Sequence, residues 1–585
     1  MNQEITAAVA AACKELFGVD VTPELTRPDE QFGDFATNVA LQLAKRVGQN
    51  PREVADQIAK SALGRTSHIV KAEVAGPGFI NFTLSDAALV QSLQAEAGQP
   101  LAGKTVLVEY SDPNPFKPLH AGHLYTTLVG DTIARLVANA GAKVTRINYG
   151  GDVGLHVGKS MWAILRQLQG ENPAALQEIP AIDRPAWLGA RYVEGNNAYE
   201  DDEAAKAEII AVNKRVYQLH ETGDHDSPFA HIYYTTRQWS YDYFAELYQQ
   251  LQVEPFDRYI PESEVTPLGV KTVKKQLEAG VFTKSEGAVV FAGEQFDLHT
   301  RVFINREGIP TYEAKDVGLS LTKWQDYRFD QSIIITANEQ AQYMQVVIAA
   351  IKQFAPEPAE RTRHLTHGLV KLQGGVKMSS RKGNVVTALE ILDAAREAGK
   401  ETGTDPSEET ILAAVKYAFA KSRIGGDIVY DPKESIALEG NSGPYLQYAH
   451  ARARSILAKA PARSAGGERS EPGEGGLSPS EATEAPEKGR APSRQGLSDL
   501  RPAERSLLRK LTEYPDAVEK ATVELLPHHI CTYLYELAQA FNRFYEHNRV
   551  IGDEREAVRL NLVKIYADRL KAGLSLLGIT APDQM

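Results

Sequence analysis

The stretch KTVLVEYSDPNPFKPLHAGH, residues 104–123, decides the fold of this chain. Its first part, 105–110, is rich in β-branched residues and predicts a strand. The proline-containing loop that follows leads into a helix pattern from Ala121 to Ala140, which stops before Gly141. A further strand pattern covers 144–149. This order predicts a βαβ unit, and doubly wound folds built from such units bind nucleotides beyond their strand ends.

A pair of histidines lies where the predicted helix begins. His120 and His123 share one face of its first turn, and Gly122 lets a ligand approach the backbone closely. Free N–H groups at a helix start favour phosphate, and imidazoles can donate hydrogen bonds to phosphate oxygens. Each histidine alone could instead cap the helix or fill a surface. With 14 His and 45 Gly in 585 residues, however, His-x-Gly-His is expected by chance only about 0.03 times. The pair therefore favours a phosphate site.

A second cluster, GGVKMSSRKGN, occupies residues 374–384. Its cations are Lys377, Arg381 and Lys382. The glycines on both sides predict a mobile loop, and cations on such a loop can close on a departing pyrophosphate. The segment alone is equally consistent with a solvated basic turn. The histidine pair makes the phosphate role the better interpretation.

The composition excludes several classes of protein. Cys13 and Cys531 are the only cysteines, which argues against a disulfide scaffold and a cysteine-based zinc site, and we expect no protein-bound metal. No apolar run is long enough to span a membrane, and the first residues lack a signal-peptide pattern. We therefore expect a cytoplasmic protein without membrane contact. The net charge of −12 does not indicate nucleic-acid binding, although a local basic face can lie on an acidic protein.

Three parts are predicted along the chain. Residues 1–100 are predicted to form a small α/β module, and 101–435 a Rossmann-like α/β catalytic domain. The latter carries a mostly helical insertion at about 160–300. A second α/β half follows the insertion, with strand patterns at 301–304 and 332–336.

The third part is predicted to be helical. Residues 436–585 show apolar positions at helical spacing, which indicates a bundle. The stretch 461–503 interrupts it and is rich in Pro, Gly, Ser, Glu and Arg, with almost no aliphatic residues. Such a composition cannot bury enough surface to offset the entropy of ordering, so we predict a disordered insertion.

The two clusters resemble the HIGH and KMSKS signatures of class I aminoacyl-tRNA synthetases. Within that class, EYSDPN (109–114), TYEAKD (311–316) and NSGPYLQYAHA (441–451) resemble the arginyl enzyme. The resemblance covers nearly the whole chain except 461–503. It implies that ATP activates L-arginine as arginyl-adenylate with release of diphosphate. The arginyl group would then pass to the 2′-hydroxyl of the terminal adenosine of tRNA-Arg, releasing AMP, and Mg²⁺ would accompany ATP.

The same resemblance implies the site residues. A guanidinium is planar, always charged and rich in donors, so its pocket needs carboxylates and neutral acceptors in fixed positions. The implied catalytic residues are His120, His123, Lys117, Lys377 and Lys382. The implied arginine-binding residues are Glu109, Asp112, Asn114, His123, Tyr312, Asp316 and Gln340. The implied ATP-binding residues are Pro113, His120, Gly122, His123, Gly151, Asp152, Gly368, Val370, Lys377, Met378, Ser379, Ser380 and Arg381.

Two positions depart from the pattern of the family. Ser380 stands where the family has the second lysine of KMSKS. We hypothesise that Lys117, just before the first histidine, supplies the missing charge. Asp112 stands where the family often has serine, and its carboxylate would repel the carboxylate of arginine.

The resemblance also implies contacts with tRNA. The N-terminal module resembles a domain that touches the tRNA elbow, and the C-terminal helices resemble one that reads the anticodon. Aromatic residues in those helices could stack on unpaired bases or could simply form the core. They include Tyr445, Tyr448, Tyr535, Phe541, Phe544 and Tyr545. We expect a monomer.

Two alternative functions remain open at this point. One is another class I synthetase, or a nucleotidyltransferase that shares the histidine motif. Tyr312, Asp316 and Glu109 argue against it. The other is a catalytically inactive paralogue that only binds tRNA, and the intact His120 and His123 argue against that.

Overall fold

The computed structural model describes residues 2–95, 97–373, 386–401, 403, 405–460, 497 and 499–585. Its strands are β1 (Phe35–Thr37), β2 (Ile69–Ala75), β3 (Phe79–Leu84), β4 (Thr105–Glu109), β5 (Lys143–Gly150), β6 (Arg258–Pro261), β7 (Thr283–Ser285), β8 (Ala288–Phe291), β9 (Arg301–Ile304), β10 (Gln331–Ala337), β11 (Thr362–His367), β12 (Val370–Leu372) and β13 (Ile428–Tyr430). Its helices are α1 (Asn2–Phe17), α2 (Val39–Val47), α3 (Pro51–Leu63), α4 (Asp86–Ser92), α5 (Ala121–Asn139), α6 (Leu155–Gln167), α7 (Arg184–Asp201), α8 (Glu203–Thr222), α9 (Pro228–Gln250), α10 (Glu262–Glu278), α11 (Tyr312–Tyr327), α12 (Ala341–Lys352), α13 (Pro356–Glu360), α14 (Ala388–Glu401), α15 (Glu408–Ala420), α16 (Pro432–Ile436), α17 (Gly443–Lys459), α18 (Pro502–Leu511), α19 (Tyr514–Glu524), α20 (His528–His547) and α21 (Glu556–Leu576).

A parallel five-stranded sheet lies at the centre of the molecule. Its order is β11-β10-β4-β5-β6, and each neighbouring pair runs parallel. Apolar side chains such as Val108 and Ile333 are fully buried, as expected of strands with helices on both faces. The chain runs from β4 to β5 on one side and later returns to β10 on the other. The strand order thus reverses beside β4, the position at which doubly wound sheets bind ligands.

Two strand assignments differ from the sequence-based expectation. The stretch 160–300, predicted as a helical insertion, contains β6, which pairs with β5 at the edge of the central sheet. This strand has only four residues, with Ile260 as its buried position, so its pattern is too short to recognise. The predicted strand 301–304 exists but lies in a separate antiparallel sheet with β7 and β8. The second half of the central sheet is therefore β10 and β11.

The N-terminal module packs directly on the C-terminal helices. Strands β1, β3 and β2 form an antiparallel sheet covered by α1 to α3, and one buried apolar cluster continues from there into α18 to α21. The junction also contains charge. The guanidinium of Arg505 lies 2.7 Å from the fully buried carboxylate of Asp34 and 3.2 Å from that of Asp86. The two ends of the chain are thus held together by apolar and ionic contacts.

The C-terminal part is helical, as predicted. The predicted disordered stretch 461–503 lies mostly outside the described residues, but Pro502 and Ala503 belong to α18, so its last two residues are helical. Phe541 and Phe544 are 1% and 2% exposed and are core residues, whereas Tyr448 is 44% exposed. Among these three aromatic candidates, only Tyr448 is exposed to solvent. No helix within the described ranges combines the length and the apolar character needed to cross a bilayer.

Candidate active site

The first motif builds the N-terminus of α5. His120 is the N-cap residue, and its Nδ1 accepts hydrogen bonds from the backbone N–H groups of Gly122 (3.1 Å) and His123 (3.3 Å). His123 completes the cap because its own Nδ1 accepts from the N–H of His120 at 3.4 Å. The two rings stack with centroids 3.7 Å apart. The sequence-predicted pair is therefore also the cap of its helix, so the two interpretations of these histidines are compatible.

This cap fixes the protonation of both imidazoles. A backbone N–H can only donate, so each Nδ1 must be an unprotonated acceptor and each Nε2 must carry the proton. Burial, together with the ammonium of Lys117, lowers the pKa of His120 to about 4. Burial and the neighbouring His120 hold the pKa of His123 well below its usual value. At neutral pH both rings are uncharged Nε2–H donors.

Lys117 is close to both rings. Its Nζ lies 4.3 Å from the ring centre of Tyr192, a cation–π distance. Burial lowers the pKa of Lys117 to about 8. Its charge contributes to the lowered pKa of His120, His123 and His156, which puts it on the same side of the crevice as the α5 terminus. That Lys117 supplies the charge missing at Ser380 stays a prediction.

The second cluster lies outside the described residues. The predicted site residues outside the described part of the chain are Lys377, Met378, Ser379, Ser380, Arg381 and Lys382. Its described C-terminal flank is hydrogen-bonded to the first motif. The N–H of Ala121 donates to the carbonyl of Val386, and the N–H of Ala388 donates to that of Leu119, both at 2.9 Å. The chain therefore leaves the second cluster directly beside the histidine pair.

The segment before the second cluster passes the middle of α5. Nε2 of His367 lies 2.8 Å from Oγ1 of Thr126, one turn after the histidine pair. Gly368 follows, and a Cβ there would lie 2.4 Å from the backbone of Gly426, so no larger residue fits. Val370 is buried in β12, paired with Ile428. Gly368 thus packs closely against the backbone of Gly426, and Val370 belongs to the buried core.

One face of α11 carries two of the residues predicted to bind arginine. Tyr312 begins this helix and is 53% exposed, whereas Asp316, one turn deeper, is 9% exposed. The hydroxyl of Tyr343 donates to the Asp316 carboxylate. Burial, and then the nearby carboxylate of Glu109, raise the pKa of Asp316 well above its usual value. The predicted pair thus lies on one face, and Asp316 is a buried carboxylate in need of a cation.

Glu109 differs from the expectation. It ends β4, and its carboxylate lies 2.6 Å from Nζ of Lys323, with side chains 3% and 2% exposed. The predicted substrate-binding carboxylate is therefore already paired inside the protein. The sequence could not show this, because the two residues are 214 positions apart.

Asp112, a further predicted residue, lies beside Ser111 in the loop after β4. Ser111 and Asp112 have φ values of +75° and +48°, a region that residues other than glycine rarely adopt. The Asp112 carboxylate accepts a hydrogen bond from the N–H of Tyr149 at 2.8 Å, which pins this turn to β5. Burial, and then Glu109, raise the pKa of Asp112. Asp112 therefore supports the turn, whatever its contact with substrate.

The loop after β5 meets the same turn. Oδ1 of Asn114 accepts from the N–H of Gly151 at 3.2 Å, and a Cβ on Gly151 would lie 2.3 Å from that oxygen. A larger residue at position 151 would displace the Asn114 side chain. Pro113 is buried in the same turn, and Gln340 is exposed at the start of α12, beyond the end of β10.

Asp152 is fully occupied by protein donors. Its carboxylate accepts hydrogen bonds from Arg237 (2.7 Å), from the N–H and hydroxyl of Ser263 (2.9 and 2.7 Å) and from the hydroxyl of Tyr233 (3.3 Å). A carboxylate has about four acceptor positions. These donors join α9 and α10 to the loop after β5 through Asp152, and the contact of this residue with ATP stays a prediction.

Four residues near the pocket were missed from the sequence. Lys315 lies 2.6 Å from Glu262, both buried, and neutralises a second acid beside Tyr312. Burial, and then Glu262, raise the pKa of Tyr149, whose buried hydroxyl has no hydrogen-bond partner among the described residues. Tyr343 holds Asp316. Of these four residues, only Lys315 lies in the motif TYEAKD. Nothing in the sequence indicated that Glu262 is its partner.

No group of three or more His, Cys, Asp or Glu side chains in the described part of the chain is arranged to hold a metal ion. The acids of the pocket are paired with Lys323 and Lys315 or bonded to Tyr343.

Comparison with known proteins defines the class and the family. The model "tRNA synthetases class I (R), catalytic domain" matches residues 85–430, which is more than half of the chain. "Arginyl tRNA synthetase N terminal domain" matches 3–84, and "DALR anticodon binding domain" matches 446–585. The fold and the site are therefore those of a class I aminoacyl-tRNA synthetase.

Full-length relatives narrow the class. The arginine–tRNA ligase of Porphyromonas gingivalis is 30% identical over 623 residues, covering 100% of this chain and 99% of the relative. That of Phocaeicola vulgatus is 28% identical and covers 100% of both chains. The solved arginyl-tRNA synthetase of Thermus thermophilus superposes with a TM-score of 0.77 at 25% identity, with 100% of both chains covered. The chain belongs to the arginyl-tRNA synthetase family, which confirms the family and fold class predicted from the sequence.

Proposed function

We propose that this protein attaches L-arginine to tRNA-Arg in two steps at the crevice beside β4. The observation that carries the proposal is the juxtaposition of two sites. The neutral Nε2–H donors of His120 and His123 lie at the start of α5, after the loop that follows β4, and the buried Asp316 side chain lines a cavity together with Glu109, the last residue of β4. One end of the crevice suits a polyphosphate and the other suits a guanidinium.

In the first step, arginine is activated. The guanidinium pairs with Asp316 beside Tyr312, while Asn114 and Gln340 hold the α-amino and α-carboxylate end. A carboxylate oxygen of arginine attacks the α-phosphorus of ATP, which enters as its Mg²⁺ complex, and the bond to the β-phosphate oxygen breaks. The histidine Nε2–H groups donate to the phosphate oxygens as charge develops. Lys117 and the cations of 377–382 stabilise the departing diphosphate.

In the second step, the arginyl group moves to tRNA. The 2′-hydroxyl of the terminal adenosine attacks the carbonyl carbon of arginyl-adenylate, loses its proton and releases AMP. The N-terminal module contacts the tRNA elbow, and α17 to α21 contact the anticodon. The three parts correspond to 1–100, 101–435 and 436–585. We further propose that the protein is a cytoplasmic monomer. Gel filtration with light scattering tests whether it is a monomer.

The proposal is tested by ATP–diphosphate exchange with purified protein. We expect exchange that depends on L-arginine and is strongest with tRNA-Arg present. Absence of exchange with tRNA-Arg present would contradict the proposal. Exchange with cysteine or glutamine instead would move the protein to another member of the class.

A further inference from the structure

A buried lysine forms the floor of the amino-acid pocket. Lys323 lies on α11, and its Nζ contacts the Glu109 carboxylate at 2.6 Å, with both side chains almost fully buried. Lys323 and Glu109 line a cavity of about 20 Å³ together with Asp316 and Ser320. A cavity of that size holds about one water molecule and not a guanidinium group. A guanidinium group therefore does not fit inside this cavity, and Glu109, at 2% exposed, is buried more deeply than Asp316, at 9%.

The residues of α11 form a gradient of depth. Tyr312, Asp316 and Lys323 are spaced by four and seven residues, so they share one helical face. Their exposure falls from 53% to 9% to 2% along that face. Tyr312 thus lies at the mouth of the pocket, Asp316 lies in the middle, and Lys323 lies at the floor, paired with Glu109. The ammonium group of a substrate therefore cannot pair with Glu109, because the ammonium group of Lys323 already occupies that position.

We propose that Lys323 determines specificity by occupying Glu109, which leaves Asp316 as the carboxylate for the substrate. This inference rests on the proposed function. The compact ammonium of free lysine gains nothing from Glu109, because that site is filled. A planar guanidinium can engage the more shallow Asp316 with two parallel hydrogen bonds. Glu109 then acts on the substrate only through Lys323, as a positioning residue.

A double-mutant cycle separates this role from direct binding by Glu109. Glu109→Gln strands the ammonium of Lys323, which turns to Asp316 and competes with arginine, so we expect the KM for arginine to rise about tenfold. Lys323→Met exposes the Glu109 carboxylate, so we expect the preference for arginine over lysine, as the ratio of kcat/KM, to fall about tenfold. In the double variant both charges are gone, Asp316 is free again, and the KM for arginine recovers most of the loss.

The measurement is diphosphate exchange with tRNA-Arg, using L-arginine, L-lysine and L-ornithine as probes, together with thermal unfolding. Lys352→Met, an exposed lysine in an ion pair on α12, is the matched control and should change neither KM nor selectivity. Should Lys323→Met fail to fold, Glu109→Gln and the double variant still decide the question. A double variant with a KM as high as that of Glu109→Gln alone would overturn the inference. The proposed function fails separately, if the unaltered protein shows no arginine-dependent exchange.

Discussion

The two sides of the crevice use different physical means. The nucleotide side is built from the backbone at the start of α5 and from two neutral imidazoles fixed by that backbone. The amino-acid side is built from buried charges brought together from β4, α10 and α11. Neutral donors aimed at phosphate act mainly as charge develops, whereas buried charges act on any bound cation. We therefore expect changes on the first side to affect kcat and changes on the second to affect KM and selectivity.

The largest expected effect concerns Asp316. Asp316→Asn keeps the shape of the side chain and the hydrogen bond from Tyr343 but removes the charge that a guanidinium requires. We expect kcat/KM for arginine to fall about 100- to 1,000-fold, mostly through KM. Diphosphate exchange at varied arginine concentration measures this. Asp326→Asn, on the exposed side of the same helix, is the control and should leave KM unchanged. A fall in kcat with unaltered KM would contradict the expectation that changes on the amino-acid side act through KM.

The second effect tests the nucleotide side. His120→Asn keeps a side-chain oxygen that can cap α5, because asparagine is a good N-cap residue, but it loses the Nε2–H donor. We expect kcat for adenylate formation to fall about 100-fold with little change in the KM for arginine. Single-turnover formation of arginyl-adenylate is the measurement, with thermal unfolding to verify the cap. His299→Asn, at an exposed histidine, is the control. An unchanged rate would show that the imidazole serves only as a cap.

The same contrast explains what the sequence could predict. The motif His120-Ala121-Gly122-His123 is local, so its spacing alone placed both rings on the first turn of a helix. The family resemblance supplied Tyr312 and Asp316, and their separation of four residues placed them on one face of a helix. Local spacing translates directly into geometry because helix periodicity is fixed.

The charge pairing of the pocket could not be predicted in this way. The residues of Glu109–Lys323 and of Glu262–Lys315 are 214 and 53 positions apart, and the chain has 64 Lys and Arg and 76 Asp and Glu to choose from. Asp152 was assigned to ATP because it follows a strand, but its donors come from α9 and α10. Such pairings depend on how distant segments pack, which residue patterns do not encode. The roles of the site residues remain predictions.

A third effect concerns the cation beside the histidine pair, on the nucleotide side. Lys117→Met removes the ammonium beside the histidines, and we expect adenylate formation to slow about tenfold at pH 7 while arginine binding is retained. Burial lowers the pKa of Lys117 to about 8, so its charge is present below pH 8 and is lost as the pH rises through that value. The difference in the rate of adenylate formation between the unaltered protein and Lys117→Met should therefore narrow as the pH rises from 7 to 9.5. Single-turnover rates across that range test this, and equal losses of rate and of arginine binding would contradict it.

The smallest expected effect concerns a hydroxyl on the amino-acid side. Tyr149 is surrounded by the acids Glu262, Asp316 and Glu109, and its buried oxygen has no partner among the described residues. A buried polar atom without a partner is costly, so we expect a bound substrate donor to satisfy it. Tyr149→Phe should raise the KM for arginine about threefold to fivefold without lowering kcat. The control is Tyr259→Phe, at an exposed tyrosine on β6. A KM that stays unchanged would mean that the hydroxyl faces away from the substrate, and that the selective contacts of the pocket are confined to α11.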